Sequence, residues 1–136
     1  MISHVFLGIT DFQRALGFYS ALMESLGLQL KFCDPQQPWA GWMSPDQARP
    51  LFVIGLPHNG EAATAGNGQM TALLASTRAM VEHAYRVALA NGGQCEGPPG
   101  LRPQYHPDYY GAYFRDPDGN KLCVCCHTAP LQAAGA

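Results

Sequence analysis

The residue types able to do chemistry concentrate in three places. The run Lys121-Leu122-Cys123-Val124-Cys125-Cys126-His127 holds three of the five cysteines. Cys123 and Cys126 have C-x-x-C spacing, but the run has the apolar, β-branched character of a strand, where residues three apart point to opposite faces. They therefore cannot share a metal without breaking the strand. Cys123, Cys125 and His127 do share a face, yet same-face neighbours lie about 7 Å apart, too far for a compact tetrahedral site unless a neighbouring strand contributes. As a nucleophile, Cys123 needs a nearby cation or base to lower its pKa. The second place is Leu101-Arg102-Pro103-Gln104-Tyr105-His106-Pro107-Asp108-Tyr109-Tyr110, where two prolines restrict a loop carrying Arg, His, Asp and three Tyr. Such a loop is either an aromatic pocket wall with polar anchors or a rigid cover for a sheet edge. His106 with Asp108 would make an oriented general base where the two touch. The third is His4 on an apolar opening strand, which on its own reads as a hydrogen-bonded core or pocket histidine. Asp116, Asp118, Gly119 and Asn120 look faintly like a calcium loop, but the glycine comes too early, His127 stands at the twelfth position and no helices flank it.

The elements that must position these residues follow from periodicity. Thr10-Asp11-Phe12-Gln13 reads as a capping box, and Phe12, Ala15, Leu16, Tyr19, Met23 and Leu26 recur at helical spacing until Gly27. This predicts a helix over 11–26. A second follows Ser76, with Met80, Val81, Ala84, Val87 and Ala88 on one face and Gly92-Gly93 as its stop. Sliding the sequence by 66 positions lays Thr10 on Ser76, Tyr19 on Tyr85 and Gly27 on Gly93, so the chain reads as two copies of one unit. Apolar strands 4–9 and 70–75 precede the two helices. Further strands are expected at 28–33, 39–43 and 51–56 in the first unit, and at 94–96, 110–115 and 121–126 in the second. Asp116-Pro117-Asp118-Gly119-Asn120 marks a hairpin between the last pair, with Asp-Gly calling for positive φ. Trp39 and Trp42 are expected to pack a strand. The fold class is α+β, a single domain over 1–130: a first βαβββ module (1–56), a Gly- and Ala-rich linker (57–68), and a second module (69–127), with a frayed tail over 128–136. One helix covers one face of each sheet, and the free faces, apposed, form a cup.

Composition narrows the partners. The chain has 136 residues, 47% apolar and 13% charged, enough for one real core. Eight basic against ten acidic residues give a net charge of −2 with no basic cluster, which excludes nucleic acid and anionic membranes as natural partners. No apolar run approaches the roughly 18 residues of a membrane span. Without a signal-peptide pattern, five cysteines read as reduced thiols in a cytoplasmic protein.

Over residues 2–127 the sequence resembles the vicinal oxygen chelate superfamily of glyoxalase I, bleomycin and fosfomycin resistance proteins and extradiol dioxygenases. The features that carry the resemblance are His4 before the Thr10-Asp11-Phe12 helix start with Phe18-Tyr19, the repeated unit, and the closing Gly111-Ala112-Tyr113-Phe114-Arg115-Asp116-Pro117-Asp118-Gly119-Asn120. The resemblance implies the glyoxalase-like fold, a cup-shaped mixed β-sheet. It also implies metal-ligand positions on the first and last strands of each unit. His4 matches the first. The last strand of the first unit offers Phe52, Val53 or Ile54, none of which binds a metal. Met70 stands where a His is usual and Cys123 where Glu follows the hairpin. The divalent-metal set is thus incomplete, so no cofactor is expected with certainty and no residue is assigned as a metal ligand.

The reading that results is a glyoxalase/bleomycin resistance-like protein whose cup binds a small, largely neutral aromatic or apolar molecule without the usual metal centre. The alternative is a glyoxalase I-like lyase or isomerase, or a dioxygenase-type enzyme, using His4 with help from His106 or Cys123. In either case His4, Met70 and Cys123 are expected to face the cup, with Tyr105, His106 and Tyr110 closing its mouth. Free sheet faces predict a homodimer.

Overall fold

The computed structural model of the chain describes residues 1–131. The first module runs strand β1 (His4–Gly8), helix α1 (Phe12–Ser25), β2 (Gln29–Asp34), β3 (Trp39–Met43) and β4 (Leu51–Gly55). The second runs β5 (Thr71–Leu74), α2 (Arg78–Ala90), β6 (Gln94–Leu101), β7 (Tyr110–Arg115) and β8 (Lys121–Cys126). Each module makes a four-stranded mixed sheet, ordered β1-β4-β3-β2 and β5-β8-β7-β6, with β1 parallel to β4 and β5 parallel to β8. This is the α+β architecture of paired βαβββ modules that the repeat predicts. No helix among the described residues is long and apolar enough to cross a membrane.

Both helices begin one residue later than the capping pattern places them. Asp11 caps α1, its carboxylate accepting from the Arg14 amide at 3.1 Å, and Thr77 caps α2, its hydroxyl accepting from the Met80 amide at 3.1 Å. The repeat survives this correction, because the 66-residue shift also lays Asp11 on Thr77. At the other ends Gly27 takes a left-handed φ of 71°, whereas in the second module Gly92 rather than Gly93 does so, with φ 99°. Strand β6 is longer than the expected 94–96 and includes Pro98 and Pro99. A sheet-edge strand tolerates them, since no ladder is lost on its open side, and the pairing with β7 slips in register around Gly97.

Alternation then sorts side chains between two faces. On β8, Leu122, Val124 and Cys126 join the core beneath α2, which leaves Cys123 and Cys125 on the opposite face. On β4, Phe52 and Ile54 join the core, and the pairing of His4 with Leu51 and Phe6 with Val53 puts Val53 on the face of His4. That open face of the first sheet is aromatic: Phe6 is 49% exposed, and Phe32 meets Trp39 edge-on at 4.7 Å. Gly41 and Gly55 make room for it, since a Cβ at either would stand 2.5 Å and 2.9 Å from the rings of Phe32 and Phe6. Trp42 turns the other way and packs near Tyr19 in the core.

A single core cluster spans both modules, with Phe18 of α1 against Phe114 of β7. The β7–β8 hairpin fastens the modules together. Asp116, 3% exposed, accepts from the Tyr19 hydroxyl at 2.6 Å, from the Asp118 and Asn120 amides at 2.9 Å each, and from the Asn120 side chain at 2.9 Å. Asn120 also donates to the Gly8 carbonyl at 3.0 Å, and Asp118 accepts from the Thr10 amide at 2.9 Å. Burial and the Asp116 carboxylate push the Tyr19 phenol well above its ordinary value. Only Gly119, at φ 89°, takes the positive φ that the hairpin needs; Asp118 does not.

The segment 57–68 has neither helix nor strand, and it does not hang free: Pro57 and Ala63 lie against Gly8, and Ala65 approaches Gly119. Of the tail expected over 128–136, residues from 132 onward lie outside the described residues.

Candidate functional site

The open face of the second sheet carries the polar chemistry. Strand alternation presents Lys121, Cys123 and Cys125 from β8, and Tyr113 and Gly111 lie opposite the two cysteines on β7. Gly111 is a requirement of the site, because a Cβ there would stand 2.9 Å from the Tyr109 ring. Without that Cβ, Tyr109 leans over the strands and sets its hydroxyl 3.0 Å from that of Tyr113 and 3.5 Å from the Cys123 sulfur.

The loop before β7 is fixed from the helix side. The Arg102 amide donates to the Tyr109 carbonyl at 2.8 Å, the Tyr110 hydroxyl donates to Glu82 of α2 at 2.7 Å, and the Arg78 guanidinium sits 5.3 Å above the Tyr110 ring. So held, the loop delivers Tyr105 against Tyr109, with ring centres 4.9 Å apart, and His106 against His127, with ring nitrogens 2.8 Å apart. His127 in turn places its Nε2 3.5 Å from the Cys125 sulfur. Residues 65–70 close the other side and leave a cavity of about 970 Å³ lined by Met70, Tyr105, His106, Tyr109, Tyr113 and His127, with Arg115 and Lys121 at its border. A second hollow of about 810 Å³ runs between β1 and the same segment and shares Met70 and Lys121.

Titration behaviour follows from these contacts. The neighbouring Cys125 sulfur and burial push the Cys123 thiol up, so it keeps its proton. Cys125 is drawn down to about 6, first by the neighbouring Cys123 and then by Tyr109 and His127. The phenols of Tyr109 and Tyr113 are both raised, mainly by burial. At the border the Arg115 guanidinium pairs with Glu96 and holds that carboxyl low, while the Lys121 ammonium lies 5.7 Å from the Tyr113 ring.

The structure brings together some of the residues singled out in the sequence and separates others. Met70, just before β5 and 45% exposed, shares the larger cavity with Tyr105 and His106. Cys123 lies beneath Tyr109, fully buried, and does not line the cavity. Tyr110 turns away from the cavity to Glu82. His4 is exposed at the start of β1, bonded to the Ser3 hydroxyl at 3.0 Å, and lines neither cavity. His106 does not bond the Asp108 carboxylate: it accepts from the Asp108 amide at 3.2 Å, and that carboxylate faces Arg78 at 3.7 Å.

The positions at which metal-using relatives hold a divalent ion do not fit one here. The face of His4 offers apolar Val53, Met70 is a thioether, Cys123 keeps its proton, and among the described residues no group of three or more His, Cys, Asp or Glu is placed to hold a metal. Sequence reasoning did not assign His127, Tyr109, Tyr113 or Lys121 to the site. The alternation of Cys123, Cys125 and His127 on one face was the available signal for His127.

The model of the Glyoxalase/Bleomycin resistance protein/Dioxygenase superfamily matches residues 1–124. The chain belongs to that superfamily. A glyoxalase/bleomycin resistance protein from Albidiferax ferrireducens T118 is 36% identical and superposes with a TM-score of 0.83, over 93% of this chain and 98% of that one. Two more distant superfamily structures share the fold. A glyoxalase-related enzyme from Fulvimarina pelagi is 22% identical (TM-score 0.71, 100% of this chain and 95% of that one). A family enzyme from Burkholderia phytofirmans PsJN is 19% identical (TM-score 0.70, 93% and 98%). Among curated proteins none matches.

Proposed function

We propose that this superfamily member binds a small, flat, largely neutral aromatic or apolar molecule in the cavity over its second sheet, without a divalent metal. The observation that carries the reading is the cavity lining. Met70, Tyr105, Tyr109 and Tyr113 supply a polarizable wall, and the phenols and imidazoles supply a few hydrogen-bonding groups. Arg115 is neutralised by Glu96, so Lys121 at the border is left as an anchor for one carbonyl or hydroxyl oxygen. Phosphates and heavily charged sugars gain little from such a lining.

A thermal-shift screen of neutral aromatic compounds against wild type and Met70→Trp tests this. Met70 is half-exposed at the cavity wall, so an indole there extends into open space without overpacking a core. Compounds that raise the wild-type melting temperature should lose that effect in the variant. Equal shifts in both proteins, or a variant that does not fold, would overturn the placement. Metal analysis of protein purified without chelator, with His4→Ala alongside, adds a second readout: a stoichiometric divalent ion lost in the variant would favour a metal-dependent lyase or dioxygenase instead.

The same reading includes a homodimer. Phe6 and Trp39 expose apolar surface at 49% and 40% on the open face of the first module, the kind of face that association covers. Sedimentation at micromolar concentration should show twice the chain mass, and a single-chain species alone would refute it.

A further inference from the structure

The hydrogen bonds around His106 and His127 have a direction that the geometry fixes. A backbone amide can only donate, so the Asp108 N–H makes His106 Nδ1 an acceptor and leaves the proton of the neutral ring on Nε2. That Nε2–H faces His127 Nδ1 at 2.8 Å, which makes Nδ1 an acceptor in turn and puts the His127 proton on Nε2. His127 Nε2 lies 3.5 Å from the Cys125 sulfur. The chain of donors therefore ends on sulfur, and Cys125 receives a hydrogen bond from His127. A sulfur that accepts from an imidazole N–H is stabilised as the thiolate. The elements around it add Tyr109 and Tyr113, both neutral, and the Lys121 ammonium as the other titratable side chains on this face beside Cys123, with apolar Leu74 beside it on β5 and Gly111 on β7.

We propose that Cys125 is a nucleophilic site, aimed by the His106–His127 relay, that captures small neutral α,β-unsaturated carbonyl compounds entering through the Tyr109- and His127-lined cavity. The inference rests on the binding reading only for its route of entry, and it names the ligand class as electrophilic. In the reaction the Cys125 sulfur forms a bond to the β-carbon, and the carbon–carbon π pair moves to the carbonyl oxygen as an enolate. The enolate takes one proton from water at its α-carbon. The hydroxide left behind is neutralised by the proton that the thiol released on ionising, so the net change is addition of S–H across the double bond with nothing oxidised or reduced. Cys125 is 5% exposed and sits behind the cavity lining, 3.5 Å from the lining residue His127, so only small electrophiles that pass His127 reach it.

Acrylamide is the probe, with the intact chain and free glutathione in one reaction at pH 6 and adducts assigned by peptide mass spectrometry. A thiolate half-formed at this pH outnumbers that of an ordinary thiol by roughly two orders of magnitude, and its lower intrinsic nucleophilicity returns about one of them, so Cys125 should react about tenfold faster than glutathione. His127→Phe and His106→Phe should each slow the Cys125 adduct at least fivefold, whereas His83→Phe, on the exposed side of α2 and outside the cavity, should not. Wild-type Cys125 that labels no faster than glutathione, or only after urea, overturns the proposal without any variant having to fold. Unchanged rates in both histidine variants would overturn the relay. Success here with no hit in the neutral-ligand screen would leave Cys125 as the site and remove only the non-covalent binding reading.

Discussion

The two open sheet faces descend from the same βαβββ plan and have become chemically opposite. The first is carbon throughout its centre, with Phe6, Phe32, Trp39 and Val53 seated over Gly41 and Gly55. The second carries thiols and a phenol on its strands and receives a further phenol and two imidazoles from the loop before β7 and the end of β8, with Gly111 again clearing space for an aromatic ring. The core-facing positions changed little in character, because helix and sheet must bury apolar surface in both modules. The open positions carry no such constraint, so one face is suited to cover apolar surface and the other to hold a polar site.

The contrast can be broken most severely at the joint between the modules. Asp116→Ala removes four hydrogen bonds to a buried carboxylate and should cost about 3 kcal/mol, seen as a loss of roughly 10 °C in melting temperature and as earlier exposure of the first module in hydrogen exchange. Next in size, Trp39→Glu on the first face should convert the proposed homodimer to single chains in sedimentation while leaving the acrylamide reactivity of Cys125 as it was. Loss of both properties together would mean that the two faces act as one site.

Tyr109→Phe on the second face removes the hydroxyl between Tyr113 and Cys123. It should cost about 1 kcal/mol in urea unfolding and leave the proposed homodimer intact, since only a partly buried hydrogen-bonding group is lost. The smallest effect is expected of Glu96→Gln at the border of that face. The Arg115 guanidinium lowers the Glu96 carboxyl, so its contribution is present above the unfolded-state value near pH 4 and disappears as the pH falls through the folded-state value. Stability curves of wild type and variant should therefore converge in acid. A gap that widens on acidification would contradict the ion pair.

Much of the fold was legible because it depends on local periodicity and turn chemistry. The strands at 39–43, 110–115 and 121–126 coincide with the apolar runs, and the repeat fixed their order. The helix starts shifted by one because Thr10-Asp11 and Ser76-Thr77 each offer two adjacent capping residues, and the choice falls to contacts a hundred residues away, such as Asp118 on the Thr10 amide. Pro98 and Pro99 argued against a long strand, and only an edge position permits it. The site was less legible. Alternation put His127 on the face of Cys123 and Cys125, but its meeting with His106 is set by a loop pinned through Tyr110 to Glu82 and Arg78, and no local pattern encodes that. Tyr110 stands in the loop expected to close the cup's mouth, and its hydroxyl instead pins that loop to Glu82.

The hairpin that joins the modules also bears on the order in which the chain matures. Helix α1 emerges early from the ribosome, but Thr10 and Tyr19 find their partners only when Asp118 and Asp116 have been synthesised, 108 and 97 residues later. At about 5–20 residues per second that interval is roughly five to twenty seconds, during which the first module stands with the buried end of its helix uncovered. Its contacts are non-local by construction, which slows closure further. A nascent chain stalled before residue 116 should consequently be protease-sensitive within α1, and release of the last twenty residues should protect it.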